Sequence, residues 1–248
     1  MNFFNQNLFS KFIYALPNQL TPEFCKAVID KFENDESTHP GVTWSGHDVS
    51  MKQSTDLLIS SNPDWSREDR IFSEALSCGL QRYNAHLNTG AVATVSYTDG
   101  FDIGYQIQRT TPGGFYNWHH DATDSRRLTF IFYLNDVKRK GYTEFCDGTK
   151  VKPKAGTLLL FPATNQYVHR GVAPVNEIKY IMTGWIYEPL SDDERILNSS
   201  QRYANNRQRL EELEKQLPEN NHDHEHVGGH TPPEGDVALS YGNETILQ

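Results

Sequence analysis

The stretch FYNWHHDATDSRR, residues 115–127, sets two histidines and an aspartate beside two aromatics. In an extended strand, residues i and i+2 face the same way, so His119 and Asp121 can reach one point while His120 faces the opposite side. One imidazole and one carboxylate are two of the three donors of a redox iron centre, which takes two histidines and a carboxylate on one face and leaves positions open for substrate and oxygen. The sequence offers His169 as the third, in FPATNQYVHRG just after the apolar run TLLLFP, where an antiparallel return would bring it to the same mouth. An HxD pair also occurs in solvated loops, so spacing alone does not make a site. His39, His47 and His86 fall outside the strand-rich region, and the HDHEHVGGH cluster near the C-terminus sits in a polar tract unsuited to holding a metal in one geometry.

A fourth side chain bears on the same question. In EIKYIMTGWIYE, residues 177–188, alternation puts Lys179, Ile181, Thr183 and Trp185 on one face and Ile178, Tyr180, Met182 and Ile186 on the other. A lysine on a face with Ile and Trp is costly to bury without an anion. Either it points to solvent, or it meets a carboxylate deeper in the cavity that His169 lines.

The elements that must position these groups change character along the chain. TPEFCKAVIDKFE, residues 21–33, predicts a helix capped by Thr21 with Pro22 at its first position and Phe24, Ala27, Val28 and Phe32 on its apolar side. A second helix is predicted after Asn62-Pro63, with Ile71, Phe72, Ala75, Leu76, Leu80 and Tyr83 on one side. From about residue 93 the period becomes two, with turn signals at Pro112-Gly113-Gly114, Gly141 and Ala155-Gly156, which predicts a barrel or jelly roll whose interior can line a cavity. Ile196, Tyr203, Leu210 and Leu217 recur every seven residues, predicting a helix over 190–217 that either packs on the barrel or makes a weak homodimer contact. Residues 218–248 are polar and aperiodic, and are expected to be a disordered, histidine-containing tail.

Composition narrows the function classes. With 23 Lys+Arg against 32 Asp+Glu, the formal charge of -9 makes nucleic acid a poor partner. The three cysteines, Cys25, Cys78 and Cys146, have no paired or zinc-knuckle spacing, which suits a reducing, cytoplasmic setting. No apolar run approaches the roughly 20 residues of a membrane span.

Taken in order, HxD at 119–121, RRLTFIFYLND at 126–136, GYTEF at 141–145, KPKAGTLLLFP at 152–162, His169 and KYIMTGWIY from Lys179 resemble the 2-oxoglutarate- and Fe(II)-dependent dioxygenases, in their prolyl 4-hydroxylase-like branch. Residues 100–187 carry the likeness, and the helix opening TPEFC resembles that branch more loosely. The resemblance implies a mainly β fold with flanking helices, a double-stranded β-helix of jelly-roll, cupin-like form. A catalytic domain over 1–189 would then comprise helical support to about 92 and a barrel over 93–189. It implies iron held by His119, Asp121 and His169, Lys179 paired with the distal carboxylate of 2-oxoglutarate, and Tyr133 and Thr183 lining the co-substrate. It further implies O2 as co-substrate, ascorbate as an accompanying ligand, and hydroxylation of an unactivated C–H bond in a peptide or small molecule, a peptidyl proline or other protein side chain first among them. Arg126 and Arg127 are the candidate donors to Asp121.

The chain also departs from that branch. A co-substrate-binding tyrosine near the barrel start is replaced by QRTTPGG, with Thr110 and Thr111, so Gln106 or Gln108 would have to substitute. A GGET turn reads GYTE here. The TTPGG and WHH wording is that of phage and marine bacterial relatives, which would place the protein in a host cytoplasm and loosens the link to prolyl substrates. Two other readings stay open on sequence alone: a zinc hydrolase using the same donors, though there is no HExxH and no use for Lys179, and a catalytically inactive barrel serving as a binding or structural module of a phage particle.

Overall fold

Thr21 opens the first long helix as its chemistry dictates, its hydroxyl accepting from the Phe24 N–H at 3.2 Å with Pro22 at the first helical position. The computed structural model describes residues 8–188 apart from 44, 61, 89–95 and 123–124; the helix expected over 190–217 and the tail over 218–248 lie outside the described residues. Three helices precede the barrel: α1 (Leu8–Lys11), α2 (Pro22–Phe32) and α3 (Ser66–Leu87), the last preceded by a 3-10 turn over Pro63–Trp65. On α2 the buried residues are Cys25, Val28 and Phe32, while Ala27 is exposed, because the buried stripe runs through Cys25 instead. None of these helices is long and apolar enough to cross a membrane.

Among the described residues, twelve strands make two sheets: β1 (Tyr14–Leu16), β2 (His39–Pro40), β3 (Thr55–Leu58), β4 (Phe101–Asp102), β5 (Gln106–Thr110), β6 (Tyr116–His119), β7 (Arg126–Tyr133), β8 (Thr143–Phe145), β9 (Lys150–Val151), β10 (Thr157–Pro162), β11 (His169–Gly171) and β12 (Lys179–Tyr187). The larger sheet runs β1-β10-β7-β12-β5-β3-β2, with β4 also on β12, and the smaller runs β6-β11-β8-β9, all pairs antiparallel. The N-terminal region thus supplies edge strands as well as helices, and His39 belongs to the sheet after all, because short polar strands carry no period-two signature.

Strand β7 shows how alternation divides the core. Leu128, Phe130 and Phe132 join a cluster with Val28, Phe32, Phe72, Leu76 and Tyr83 of the helices, while Ile131 and Tyr133 join a second cluster with Phe145, Leu159, Phe161, Tyr167 and Ile181. Phe145 of the smaller sheet meets Phe161 of the larger edge to face at 4.9 Å, so the two sheets close on one another over this second cluster. Each such ring, fully buried, contributes about 1.5–3 kcal/mol of transfer free energy. Cross-strand pairs Ile181 with Tyr133, Thr183 with Ile131 and Lys179 with Thr110 extend this inner wall over β7, β12 and β5.

Candidate metal centre

His119 and His169, fifty residues apart in sequence, are direct cross-strand partners in the β6/β11 pair. Antiparallel pairing therefore brings the third donor to the first two. The Nε2 atoms of His119 and His169 lie 3.9 and 3.7 Å from the two oxygens of Asp121, and one donor atom from each residue falls within 4.8 Å of the others. His120 is exposed, as the alternation requires.

Both imidazoles are aimed by the main chain. His119 Nδ1 donates to the Asn117 carbonyl at 2.8 Å and His169 Nδ1 to the Tyr167 carbonyl at 3.0 Å. A proton fixed on Nδ1 leaves the Nε2 lone pair free, the tautomer a metal ligand needs. Burial, reinforced by the neighbouring His169, pushes the His119 pKa down to about 3, so its ring is neutral at physiological pH. Asp121 is buried, which alone would raise its pKa; the two histidines and the Thr129 hydrogen bond outweigh that and hold it below the ordinary carboxylate range. Two imidazoles with Nδ1 committed to carbonyls and one carboxylate on one face are the donor set of a non-haem ferrous site.

Thr129, on the inner face of β7, donates to Asp121 Oδ2 at 2.7 Å. The arginines expected in this role are engaged elsewhere: Arg126 lies 3.7 Å over the Trp185 ring and donates to the Tyr187 hydroxyl, while Arg127 pairs with Asp99 and Glu188. A short threonine on the facing strand reaches a buried carboxylate that a long arginine at the strand's start does not. The alternation that placed Thr129 on the same face as Tyr133 was the signal for it.

Lys179 is 4 % exposed, and its side-chain ammonium makes no hydrogen bond or ion pair with any described residue. Burial pushes its pKa down to about 8. An ammonium desolvated without a partner is a standing cost unless an anion binds, and this is the feature that fits a dicarboxylate co-substrate. Tyr133 is wholly buried, with its hydroxyl 2.7 Å from Thr143 Oγ1, and Thr183 donates to the Phe130 carbonyl at 2.9 Å. Both lie on the inner wall, but the Thr183 hydroxyl is committed to the backbone. Gln106 and Gln108 lie along the same wall, opposite Thr183 and Ile181, and Gln108 donates to Gln106 at 2.7 Å.

The mouth holds what the alternation could not show. Between the His119/His169 and Tyr116/Gly171 pairs, β6 carries one residue more than β11, a bulge that turns Tyr116 onto the same side as His119. Their rings stack with centroids 3.6 Å apart. Residues 51–53 run beside β6, the Gln53 N–H donating to Phe115 O and the Asn117 N–H to Met51 O, each at 2.8 Å. Lys52 forms a buried 2.5 Å ion pair with Asp56 and lies 5.3 Å over the Tyr116 ring. On the outer side, Trp118 is 39 % exposed with the Arg170 guanidinium 4.6 Å over it, and Arg170 in turn makes two hydrogen bonds to Glu144.

A jelly-roll barrel with two imidazoles and a carboxylate on its inner wall, and beside them an ammonium with no partner among the described residues, fits the chemistry of a non-haem iron oxygenase. Residues 105–187, a third of the chain, match the family model of the 2OG-Fe(II) oxygenase superfamily, a segment that contains His119, Asp121, Thr129, Tyr133, His169, Lys179 and Thr183. That segment is similar to the 2OG-Fe(II) oxygenases, and its convergent His-Asp-His set and buried Lys179 fit Fe(II) and 2-oxoglutarate as the implied cofactor and co-substrate. Among solved structures, the fold is similar to a prolyl hydroxylase from Trichoplax adhaerens in complex with a hypoxia inducible factor peptide fragment (17 % identity, TM-score 0.59, covering 77 % of this chain and 88 % of that one). It is also similar to a Pseudomonas putida prolyl-4-hydroxylase (17 %, 0.53, 71 % and 93 %). A third similar structure is the viral collagen prolyl hydroxylase of Paramecium Bursaria Chlorella virus-1 with 2OG (18 %, 0.52, 71 % and 95 %). No curated protein sequence matches the chain.

Proposed function

We propose that the protein hydroxylates an unactivated C–H bond of a peptidyl proline or another protein side chain, with His119, Asp121 and His169 holding Fe(II) and Lys179 holding the distal carboxylate of 2-oxoglutarate. The observation that carries this reading is the buried, unpartnered ammonium of Lys179 on the same inner wall as a convergent His-Asp-His set. A hydrolytic zinc site would leave that lysine without a purpose. Bound Fe(II) and 2-oxoglutarate supply the oxidation: one atom of O2 enters succinate as CO2 leaves, and the other enters the C–H bond.

The chain's own residues prepare that chemistry. Asn117 and Tyr167 carbonyls fix the ligand tautomers, Thr129 orients Asp121, and the charge of Asp121 offsets part of the metal's. Lys179 offers a charge-assisted hydrogen bond to one carboxylate, while Ile131, Ile181 and Phe161 make the inner wall around it apolar. A peptide substrate is supported by the prolyl hydroxylases among the similar folds and by the aromatic rim of Tyr116 and exposed Trp118.

Anaerobic titration tests the reading. Fe(II) and 2-oxoglutarate added together are expected to give a weak visible charge-transfer band that neither gives alone; its absence from metal-loaded protein rejects the assignment. Incubation with host lysate under isotopic O2, followed by mass spectrometric location of oxygen additions, then identifies the substrate. Label found only on free metabolites would reject the protein side chain.

A further inference from the structure

Gly171 lies two residues beyond His169 in β11, so the two positions share a face, and it pairs across the sheet with Tyr116. A Cβ built on Gly171 would stand 3.4 Å from Lys179 Nζ and 3.6 Å from Tyr116 Cβ, both ordinary contacts. Its backbone is outside the left-handed region. Every other described glycine either has a left-handed φ or would bring a Cβ within 2.7 Å of a neighbouring atom. Packing and backbone conformation account for each of those. They do not account for Gly171, where alanine would fit and would cost the folding chain less entropy.

What sets this glycine apart is its neighbour. A methyl at position 171 would touch the one buried ammonium of the inner wall that has no described partner. We propose that Gly171 is a specificity-determining residue for the co-substrate: its bare backbone keeps open the space against Lys179 Nζ that the distal carboxylate of a 2-oxo diacid occupies. The inference rests on the assignment of Lys179 above. It makes position 171 the one that decides between a diacid and a 2-oxo acid lacking the second carboxylate.

The test uses the full chain loaded with Mn(II) and titrated by calorimetry with 2-oxoglutarate and, separately, with pyruvate, which has the 2-oxo acid group and no distal carboxylate. Gly171→Ala is expected to weaken 2-oxoglutarate about tenfold and Gly171→Val about a hundredfold, with pyruvate and Mn(II) affinities held within about twofold. Undiminished 2-oxoglutarate affinity in Gly171→Ala, or a parallel loss of pyruvate binding, overturns the proposal while leaving the Lys179 assignment intact. Should the valine variant not fold, the alanine variant decides alone, since its methyl meets only ordinary contacts. A wild-type protein that binds Mn(II) but shows no preference for 2-oxoglutarate over pyruvate overturns the Lys179 assignment and this inference with it.

Discussion

Thr129 donates to the same Asp121 oxygen that lies 3.7 Å from His169 Nε2, so one threonine sets the attitude of the carboxylate between two imidazoles. Partners of this kind are worth about 10–100-fold in metal affinity. Thr129→Val keeps shape and removes the donor, and is expected to weaken Mn(II) binding by at least about tenfold while the fold, followed by circular dichroism, is unchanged. Equal affinity in the two proteins would mean that Asp121 is held by something other than Thr129.

Removing a donor outright is a harsher change. His119→Ala, Asp121→Ala and His169→Ala are each expected to abolish metal-dependent turnover of 2-oxoglutarate to succinate, with Mn(II) affinity falling well beyond the Thr129→Val value. A His120→Ala control, at the exposed neighbour, is expected to keep both within about twofold, since it lies on the opposite strand face. Succinate production surviving in any of the three would remove that residue from the site.

Lys179 couples stability to pH. Its folded pKa, near 8, is below that of a free lysine, so the unfolded chain holds the extra proton between about pH 8 and 10.5. The sign follows: the burial penalty is complete below about pH 8, is relieved as pH rises through that window, and amounts to about 3 kcal/mol. Lys179→Met is therefore expected to raise the melting temperature of the ligand-free protein at pH 7 and to flatten its rise toward pH 10. The same variant is expected to lose 2-oxoglutarate affinity by about a hundredfold or more. In the wild type, that affinity is expected to decline above about pH 8, as the ammonium gives up its proton. Melting curves at pH 7 and 10, with binding isotherms across the range, check all three.

Tyr133 hydrogen-bonds Thr143 across the interior, joining the larger sheet to the smaller. Tyr133→Phe strands the buried Thr143 hydroxyl and is expected to cost about 1–3 kcal/mol of stability in denaturant titrations. If the phenol also contacts the co-substrate, the KM for 2-oxoglutarate rises with kcat little changed; an unchanged KM assigns it a purely structural role.

The donors were legible because period two is a strong constraint: once His119 and Asp121 share a face, and Lys179 shares one with Ile181 and Trp185, the inner wall can be drawn from residues alone. The family resemblance then suggested roles for Lys179, Tyr133 and Thr183 that spacing could not. Three features escaped for physical reasons. The bulge in β6 breaks the alternation, so nothing local announces that Tyr116 stacks on His119. The pairing of Lys52 with Asp56, four residues apart, depends on the local path by which a polar stretch that reads as loop enters β3. The donor to Asp121 depends on reach across the sheet, which favoured Thr129 over the arginines that charge alone suggested.

Each of the two imidazoles takes its bearing from a carbonyl two residues upstream in the chain. Amide oxygens are present whatever the side chains are, so the compass of the centre is independent of the residues that line its rim. Evolution is then free to rewrite the rim for new substrates without retuning the ligands.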